Sequence, residues 1–144
     1  MRFTNLDRKL TDAEISSVEI ELGIRFPKSL RELFANYNGG SPDPYVIQVE
    51  GLHTVVNETL PLLSSKDFGT AVDSYKLLVQ KRRIVEKKYF PFAVDAGGDY
   101  FFVDCFSTDS QVYFYDSDTD SVQDRLLKLG MTLQEFWNRL KSED

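Results

Sequence analysis

The segment Leu22-Gly23-Ile24-Arg25-Phe26-Pro27 separates two stretches in which apolar residues recur at helical spacing. Thr11 begins the first stretch with a Thr-x-x-Glu capping pattern, and Gly23 suits the left-handed position that ends a helix. Pro27 suits the first position of a second helix, because the N–H that proline lacks is not needed there. Tyr37-Asn38-Gly39-Gly40 then supplies a helix stop. Together these signals predict an N-terminal αα-hairpin.

Short runs of β-branched and aromatic residues predict the strands of a sheet after this hairpin. The predicted strands cover residues 45–49, 53–56, 59–62, 100–106 and 111–115. Residues 100–106 are apolar on both faces, which is typical of a central strand that is covered on both sides. Before them, Phe90-Pro91-Phe92-Ala93-Val94-Asp95-Ala96-Gly97-Gly98-Asp99 supplies an apolar entry and a Gly-Gly turn between two acids. We expect Gly39, Gly40, Gly97 and Gly98 to adopt positive φ angles.

Two further capping patterns predict two more helices. Ser64-Ser65-Lys66-Asp67 precedes an apolar stripe that includes Phe68 and Tyr75, and this helix is expected to run to about Gln80. Thr132-Leu133-Gln134-Glu135 opens a C-terminal helix whose inward residues are Leu133, Phe136, Trp137 and Leu140. The sequence therefore predicts an α+β fold: a mostly antiparallel sheet with an N-terminal αα-hairpin, one inserted helix and a C-terminal helix. We expect residues 1–144 to form a single domain.

Composition and motifs exclude several classes of function. The chain has 144 residues, a net charge of −6, one cysteine and one histidine. One cysteine excludes an internal disulfide, and the start of the chain has no apolar run typical of a signal peptide. No stretch is apolar for long enough to span a membrane, so we expect a soluble, cytoplasmic protein.

No catalytic or metal-binding motif is evident. His53 is the single histidine, which excludes His–His metal sites and most Ser–His or Cys–His catalysis. Cys105 lies in an apolar strand and is expected to be a buried, unreactive thiol. The acids of Asp116-Ser117-Asp118-Thr119-Asp120 alternate as in a calcium loop, but the glycine and the final glutamate of an EF-hand are missing. Weak calcium binding is the alternative left open there. We expect no enzyme activity, no cofactor and no metal site.

Charge is distributed unevenly along the chain. Eight aspartates and no lysine, arginine or glutamate lie between Asp95 and Asp124, whereas residues 81–88 carry five basic residues and one acid. An acidic surface repels nucleic acid and attracts basic proteins. The alternative is that these aspartates cap the turns of an antiparallel sheet by bonding nearby backbone. The sequence alone leaves both interpretations open.

The order of these motifs resembles the SUKH superfamily, the Smi/Knr-like proteins. Its members show a helix ending in Leu-Gly, a following Leu-Pro or similar pair, and a second helix ending in Asn-Gly-Gly. This chain has Leu22-Gly23, Phe26-Pro27 and Asn38-Gly39-Gly40 in that order. Residues 91–99 match the family's later Pro-Phe-Ala-x-Asp-x-Gly-Gly-Asp pattern. The resemblance extends from Thr11 to Leu140, although Phe26 stands where leucine is usual.

The resemblance implies an α+β fold without shared catalytic residues. Bacterial members of this kind are most often immunity proteins, which bind and neutralise a polymorphic or contact-dependent toxin, commonly a nuclease, in the cytoplasm. The alternative that it implies is a regulatory protein–protein interaction domain without a toxin partner. We expect a monomer that binds neither nucleic acid nor membrane. The candidate partner-binding residues are Asp95, Asp99, Tyr100, Tyr113, Asp116 and Asp118, and we expect the four aspartates to be exposed on one side of the molecule.

Overall fold

A computed structural model describes residues 2–66 and 69–143. Within these residues the fold has a six-stranded antiparallel sheet, a two-stranded ribbon and four α-helices, which confirms the α+β prediction. The strands are β1 (Arg2–Thr4), β2 (Ser41–Asp43), β3 (Val46–Val49), β4 (Leu52–Thr59), β5 (Tyr89–Asp95), β6 (Tyr100–Asp104), β7 (Gln111–Tyr115) and β8 (Leu126–Thr132). The helices are α1 (Asp12–Leu22), α2 (Lys28–Asn36), α3 (Ala71–Tyr75), which continues as a π-helix over Lys76–Lys81, and α4 (Leu133–Arg139), with a 3-10 turn at Val122–Asp124.

Each strand of the large sheet pairs with its neighbours in sequence, in the order β3-β4-β5-β6-β7-β8. The sheet is covered on both faces at β6. Phe101 and Val103 are fully buried in the main core, which also receives the apolar faces of all four helices. Phe102 points the other way and packs with Leu78 and Val85, from the π-helix and the segment after it. The prediction of a doubly covered central strand is therefore confirmed, although β6 ends at Asp104.

The N-terminal αα-hairpin forms as its capping residues predict. The Thr11 hydroxyl accepts a hydrogen bond from the Glu14 N–H at 3.1 Å, and the Glu14 carboxylate accepts one from the Thr11 N–H at 3.0 Å. Gly23 ends α1 with a φ of 67°. Pro27 is the N-cap of α2, and the first helical residue is Lys28, one position later than predicted. Arg31 of α2 joins the two helices, because its guanidinium contacts both Asp12 and Glu19 of α1 at 2.6 Å.

The Asn-Gly-Gly stop has a second role beyond ending α2. Asn38 is buried, and its side-chain amide donates to the carbonyls of Arg8 and Leu63 at 2.8 and 2.9 Å. Its Oδ1 accepts from the Leu62 N–H at 2.8 Å. Gly40 has a φ of 105°, and a Cβ there would lie 2.7 Å from the Thr4 carbonyl oxygen. This motif therefore connects the first ten residues to the loop after β4.

The inserted helix begins later than predicted. Thr70 is its N-cap, since the Thr70 hydroxyl accepts from the Asp73 N–H at 3.1 Å. Asp67 and Phe68, on which the predicted capping box and stripe partly depended, lie outside the described residues. The helical turns end at Lys81, close to the predicted end at Gln80. The N-terminal boundary was therefore wrong, and the C-terminal boundary is confirmed within one residue.

The ribbon of β1 and β2 was not predicted, and the strand predictions for the large sheet missed three further features. The predicted strands at residues 53–56 and 59–62 are one strand, β4, which ends at Thr59 before Pro61. β5 is a full strand even though it contains Pro91, because the ladder shifts register between Pro91 and Ala93 and proline is tolerated at such bulges. β8 was not predicted, since Gly130, with a φ of 71°, interrupts an already weak alternation.

The chain after α4 returns to the sheet. Val46 and Lys141 exchange two backbone hydrogen bonds, of 3.0 and 2.9 Å, which add a short bridge on the outer side of β3. Among the residues described, none of the helices combines the length and the apolar character needed to cross a bilayer.

Candidate partner-binding site

Three of the candidate aspartates meet where the β5–β6 turn lies beside the loop after β7. The Asp99 carboxylate accepts hydrogen bonds from the Ser117 hydroxyl at 2.6 Å and the Ser117 N–H at 3.3 Å. Asp116 accepts one from the Asp118 N–H at 3.0 Å. One carboxylate oxygen from each of Asp99, Asp116 and Asp118 lies within 4.8 Å of the other two. We call these three residues the acidic tip.

The acidic tip concentrates negative charge at one end of the sheet. Asp118 is exposed, and Asp99 and Asp116 are partly exposed. Carboxylates at this spacing can share a hard cation such as Ca²⁺, although exposed acids also cluster without one, and Ca²⁺ needs six to eight oxygen ligands. Equally, they can accept hydrogen bonds from the ammonium and guanidinium groups of another protein.

Asp95 does not belong to this exposed group, so its predicted exposure was wrong. Only 8% of the residue is accessible. One carboxylate oxygen accepts from the N–H groups of Gly97 and Asp99 at 3.0 and 2.8 Å, and the other accepts from the Thr54 hydroxyl at 2.9 Å. Asp95 therefore holds the β5–β6 turn together. Asp104 is also buried, and it caps the next turn through the Phe106 N–H at 2.9 Å.

The Gly-Gly turn also departs from its prediction at one position. Gly98 has a φ of 90°, as expected, whereas Gly97 lies outside the left-handed region. Gly97 instead places its N–H on the Asp95 carboxylate, and a Cβ at Gly97 would lie 3.5 Å from Asp95 Oδ1. A single residue with positive φ is thus enough to turn the chain from β5 into β6.

Half-exposed tyrosines lie on the sheet face next to the acidic tip. Tyr100 directly follows Asp99, and Tyr115 directly precedes Asp116. Tyr100, Tyr113 and Tyr115 all pack against the second, smaller core and are only partly buried. We call these three residues the tyrosine face. The structure therefore brings Tyr100 and Tyr113 to the same surface and adds Tyr115. The alternation of residues 111, 113 and 115 along β7 was the sequence signal that could have identified Tyr115.

Tyr89 supports this face from below. Its ring lies 4.9 Å from that of Tyr113 in an edge-on arrangement, and it is buried. Burial, with a smaller contribution from the neighbouring Tyr113, raises the pKa of Tyr89 to about 12. Tyr89 is therefore a buried aromatic ring against which the partly exposed Tyr113 packs.

The single cysteine and the single histidine make no contact with the acidic tip that would suggest catalysis among the residues described. Cys105 follows β6 and is partly buried, and desolvation by burial raises the pKa of its thiol well above the ordinary value. The predicted place of Cys105 within a strand and its full burial were therefore wrong, while the raised pKa agrees with the predicted low reactivity. His53 is exposed on β4, opposite Gln48 of β3.

Comparisons with known proteins place the chain in a family. Neither the curated proteins nor the solved structures give a match. The sequence model of the SMI1 / KNR4 family (SUKH-1), in contrast, matches residues 9–139. That range includes both helices of the hairpin, the whole six-stranded sheet and all of α4. The protein is therefore a member of the SMI1 / KNR4 family (SUKH-1).

Proposed function

We propose that this protein is an immunity protein that binds a cognate toxin domain and neutralises it in the cytoplasm. The observation that carries the proposal is the acidic tip beside the tyrosine face in a member of this family. Aromatic residues next to a polar rim are the usual composition of a tight protein interface. The partner that fits them is a basic protein, for which a nuclease domain is the leading candidate.

The proposed mechanism is occlusion. Asp99, Asp116 and Asp118 pair with lysines or arginines that the toxin uses to hold its own substrate, and the substrate is thereby excluded. Tyr100 and Tyr113 supply the apolar anchor, since a half-buried tyrosine loses little side-chain entropy when a partner covers it. No chemical step is required of the immunity protein, which acts by stoichiometric binding.

The negative charge also favours the fast association with a basic toxin that such a protein needs. The whole chain carries a net charge of −6. Opposite charges steer diffusional encounter and raise association rates by about 10- to 1,000-fold at low salt. A toxin that is lethal when free favours fast capture, so we infer that the acidic tip acts mainly on the association rate.

The test is to express the protein encoded by the adjacent gene, establish whether it is toxic, and then measure protection and binding by this chain. The informative variant is Asp116→Lys with Asp118→Lys, which reverses two charges of the tip. Association should slow and lose part of its salt dependence at two salt concentrations, while the dissociation rate changes less. Tyr113→Ala should instead act mainly on the dissociation rate and raise it.

The matched control is Asp43→Lys with Asp109→Lys, which makes the same change in net charge at other sites. Both aspartates are exposed: Asp43 lies on β2, and Asp109 lies in the β6–β7 turn, at the opposite end of these strands from the tip. A tip variant that associates as fast as this control would exclude the acidic tip as the interface. A protein that binds its partner but gives cells no protection would favour the regulatory-domain alternative.

A further inference from the structure

A second surface lies on the helical side of the sheet, away from the tyrosine face. α2, α4 and β1 enclose a pocket of about 240 Å³. Leu33 and Leu133 are buried at its base. Three aromatic rings form its walls: Phe3 stacks on Tyr37 with a centroid distance of 4.5 Å and meets Trp137 edge-on at 5.3 Å. Its volume suits one side chain rather than a whole ligand, because pockets for small molecules usually exceed about 300 Å³.

The chemistry of the pocket rim is that of a cation acceptor. Of the described residues that line the pocket, Glu32 is the one with a charged side chain, and the others at the rim include the exposed carboxamides of Asn36, Gln134 and Asn138. Glu32 is not firmly engaged within the chain. Its partner Lys28 lies 3.9 Å away, and the two side chains are 58% and 92% exposed, so the pair contributes little and exchanges readily.

Phe3 covers one face of Tyr37, but Tyr37 is still 40% exposed, so ring surface remains available to a cation. In the part of the chain that the structure describes, a cation lies over an aromatic ring only at Lys88 and Tyr89. That pair belongs to the opposite side of the sheet, where Tyr89 packs in the smaller core. Tryptophan and tyrosine faces attract guanidinium groups by stacking and by cation–π interaction.

The pocket opens into a longer groove, which indicates that its occupant is part of a protein chain. Ser29, Glu32 and Gln134 line the pocket and also a groove of about 610 Å³ that continues past Pro27 to Thr108. A free amino acid would leave this groove unused, whereas an extended segment could lie along it and place one side chain in the pocket.

We propose that this pocket binds an arginine side chain of a partner protein. The guanidinium stacks on Tyr37 and Trp137, donates to the Glu32 carboxylate and shares its remaining N–H groups with the rim carboxamides. Arginine fits better than lysine because its guanidinium group is planar. It can stack on an aromatic ring and still present five N–H donors to the rim. The proposal does not depend on the immunity function, since the acidic tip takes no part in it.

Trp137 makes this proposal directly measurable, because it is the one tryptophan in the chain. Selective excitation of tryptophan in the full-length protein therefore reports on this pocket. The probe is N-acetyl-arginine methylamide, titrated to millimolar concentration. We expect saturable quenching, with weaker binding by the lysine derivative and almost none by the citrulline derivative, which has the shape of arginine without its charge.

Two variants and one control complete the test. Glu32→Gln and Tyr37→Leu should each weaken binding about tenfold, through loss of the ion pair and of the stacking surface. Glu58→Gln removes the same charge from an exposed site on β4 and should leave binding unchanged. Far-UV circular dichroism and thermal unfolding verify that each variant is folded.

Several results would overturn the proposal. Binding of citrulline as tight as that of arginine, or unchanged binding by Glu32→Gln, would exclude a cation site. Tighter binding of the leucine derivative would identify an apolar occupant, and binding of free arginine alone would identify an amino-acid site. Absence of any saturable signal would exclude a side-chain pocket. Each result leaves the toxin-binding experiment unaffected, so the two proposals can fail separately.

Discussion

The side-chain oxygen of Asn38 accepts a hydrogen bond of 2.8 Å from the backbone N–H of Leu62, 24 residues further along the chain. The same side chain donates to the carbonyls of Arg8 and Leu63. All three contacts are made by a residue that is 3% exposed. One amide thus satisfies three backbone groups from two separate segments, and its loss would leave them without a partner.

Asn38→Ala should therefore destabilise the protein by about 2–4 kcal/mol, since buried polar groups left unpaired are costly. Urea denaturation measures this as a lower midpoint. Asn36→Ala is the matched control, because Asn36 is exposed at the end of α2 and its loss should change stability by less than about 0.5 kcal/mol. Equal effects of the two substitutions would contradict the role assigned to Asn38.

Alanine substitutions at three glycines should rank in a defined order. Gly40→Ala combines a positive φ with a Cβ only 2.7 Å from the Thr4 carbonyl oxygen, so it should be the most destabilising. Gly98→Ala has a positive φ but open space, and should cost about 1–2 kcal/mol. Gly97→Ala has neither problem and should be within about 0.5 kcal/mol of wild type. Thermal or urea unfolding of the three variants gives the ranking, and a damaging Gly97→Ala would contradict it.

Asp95 and Asp118 should respond differently to the same substitution. Asp95→Ala removes the acceptor of three hydrogen bonds from a buried site and should destabilise by about 1–3 kcal/mol. Asp118→Ala removes an exposed acid beside two others, so stability should stay the same or rise slightly. If Asp118→Ala proved as destabilising as Asp95→Ala, the acidic tip would have a structural role rather than a binding role.

The Glu14 carboxyl should titrate far below its ordinary range. Hydrogen bonding from Arg8, followed by the bond from the Thr11 backbone, lowers the pKa of Glu14 from 4.5 to about 2. Because the folded-state pKa is lowered, the stabilisation that Glu14 provides is present above pH 4.5 and is lost as the pH falls toward 2. The carboxyl carbon shift of Glu14 in an NMR titration measures the midpoint directly.

Arg8→Met is the matched change for this titration, since it keeps an unbranched side chain and removes the charge. It should move the Glu14 midpoint upward, toward 4.5, while the Thr11 capping box remains. A wild-type midpoint already near 4.5 would show that the ion pair with Arg8 is not formed in solution.

The helices could be predicted from sequence because their signals are local. Thr11 and Thr132 each need only a glutamate three residues later, and both capping boxes form. Thr70 was missed because its capping bond goes to Asp73 N–H without a returning glutamate or glutamine. Arg31 was missed for the opposite reason, since its partners on α1 become neighbours only when the two helices pack.

The candidate site was predictable only in part, because residue type does not determine burial. Asp95 and Asp99 both flank the Gly-Gly turn in sequence, yet the first faces its own backbone and the second faces Ser117 of another loop. The proximity of Asp99 to Asp116 depends on how β5, β6 and β7 align, which no local pattern specifies. Tyr113, by contrast, follows from the alternation along residues 111–115, whereas Tyr100 lies on a strand that is apolar on both faces.

The bridge between Val46 and Lys141 has a consequence for self-association. An unprotected strand at the margin of a sheet offers its N–H and C=O groups to a second chain, and proteins avoid aggregation by covering such strands. Here Lys141 occupies the N–H and the C=O of Val46. Shortening the chain to end before Lys141 would free them, so a truncated protein should form oligomers at concentrations where the longer chain does not. The segment after α4 thus prevents a strand of a second molecule from pairing with β3 at Val46.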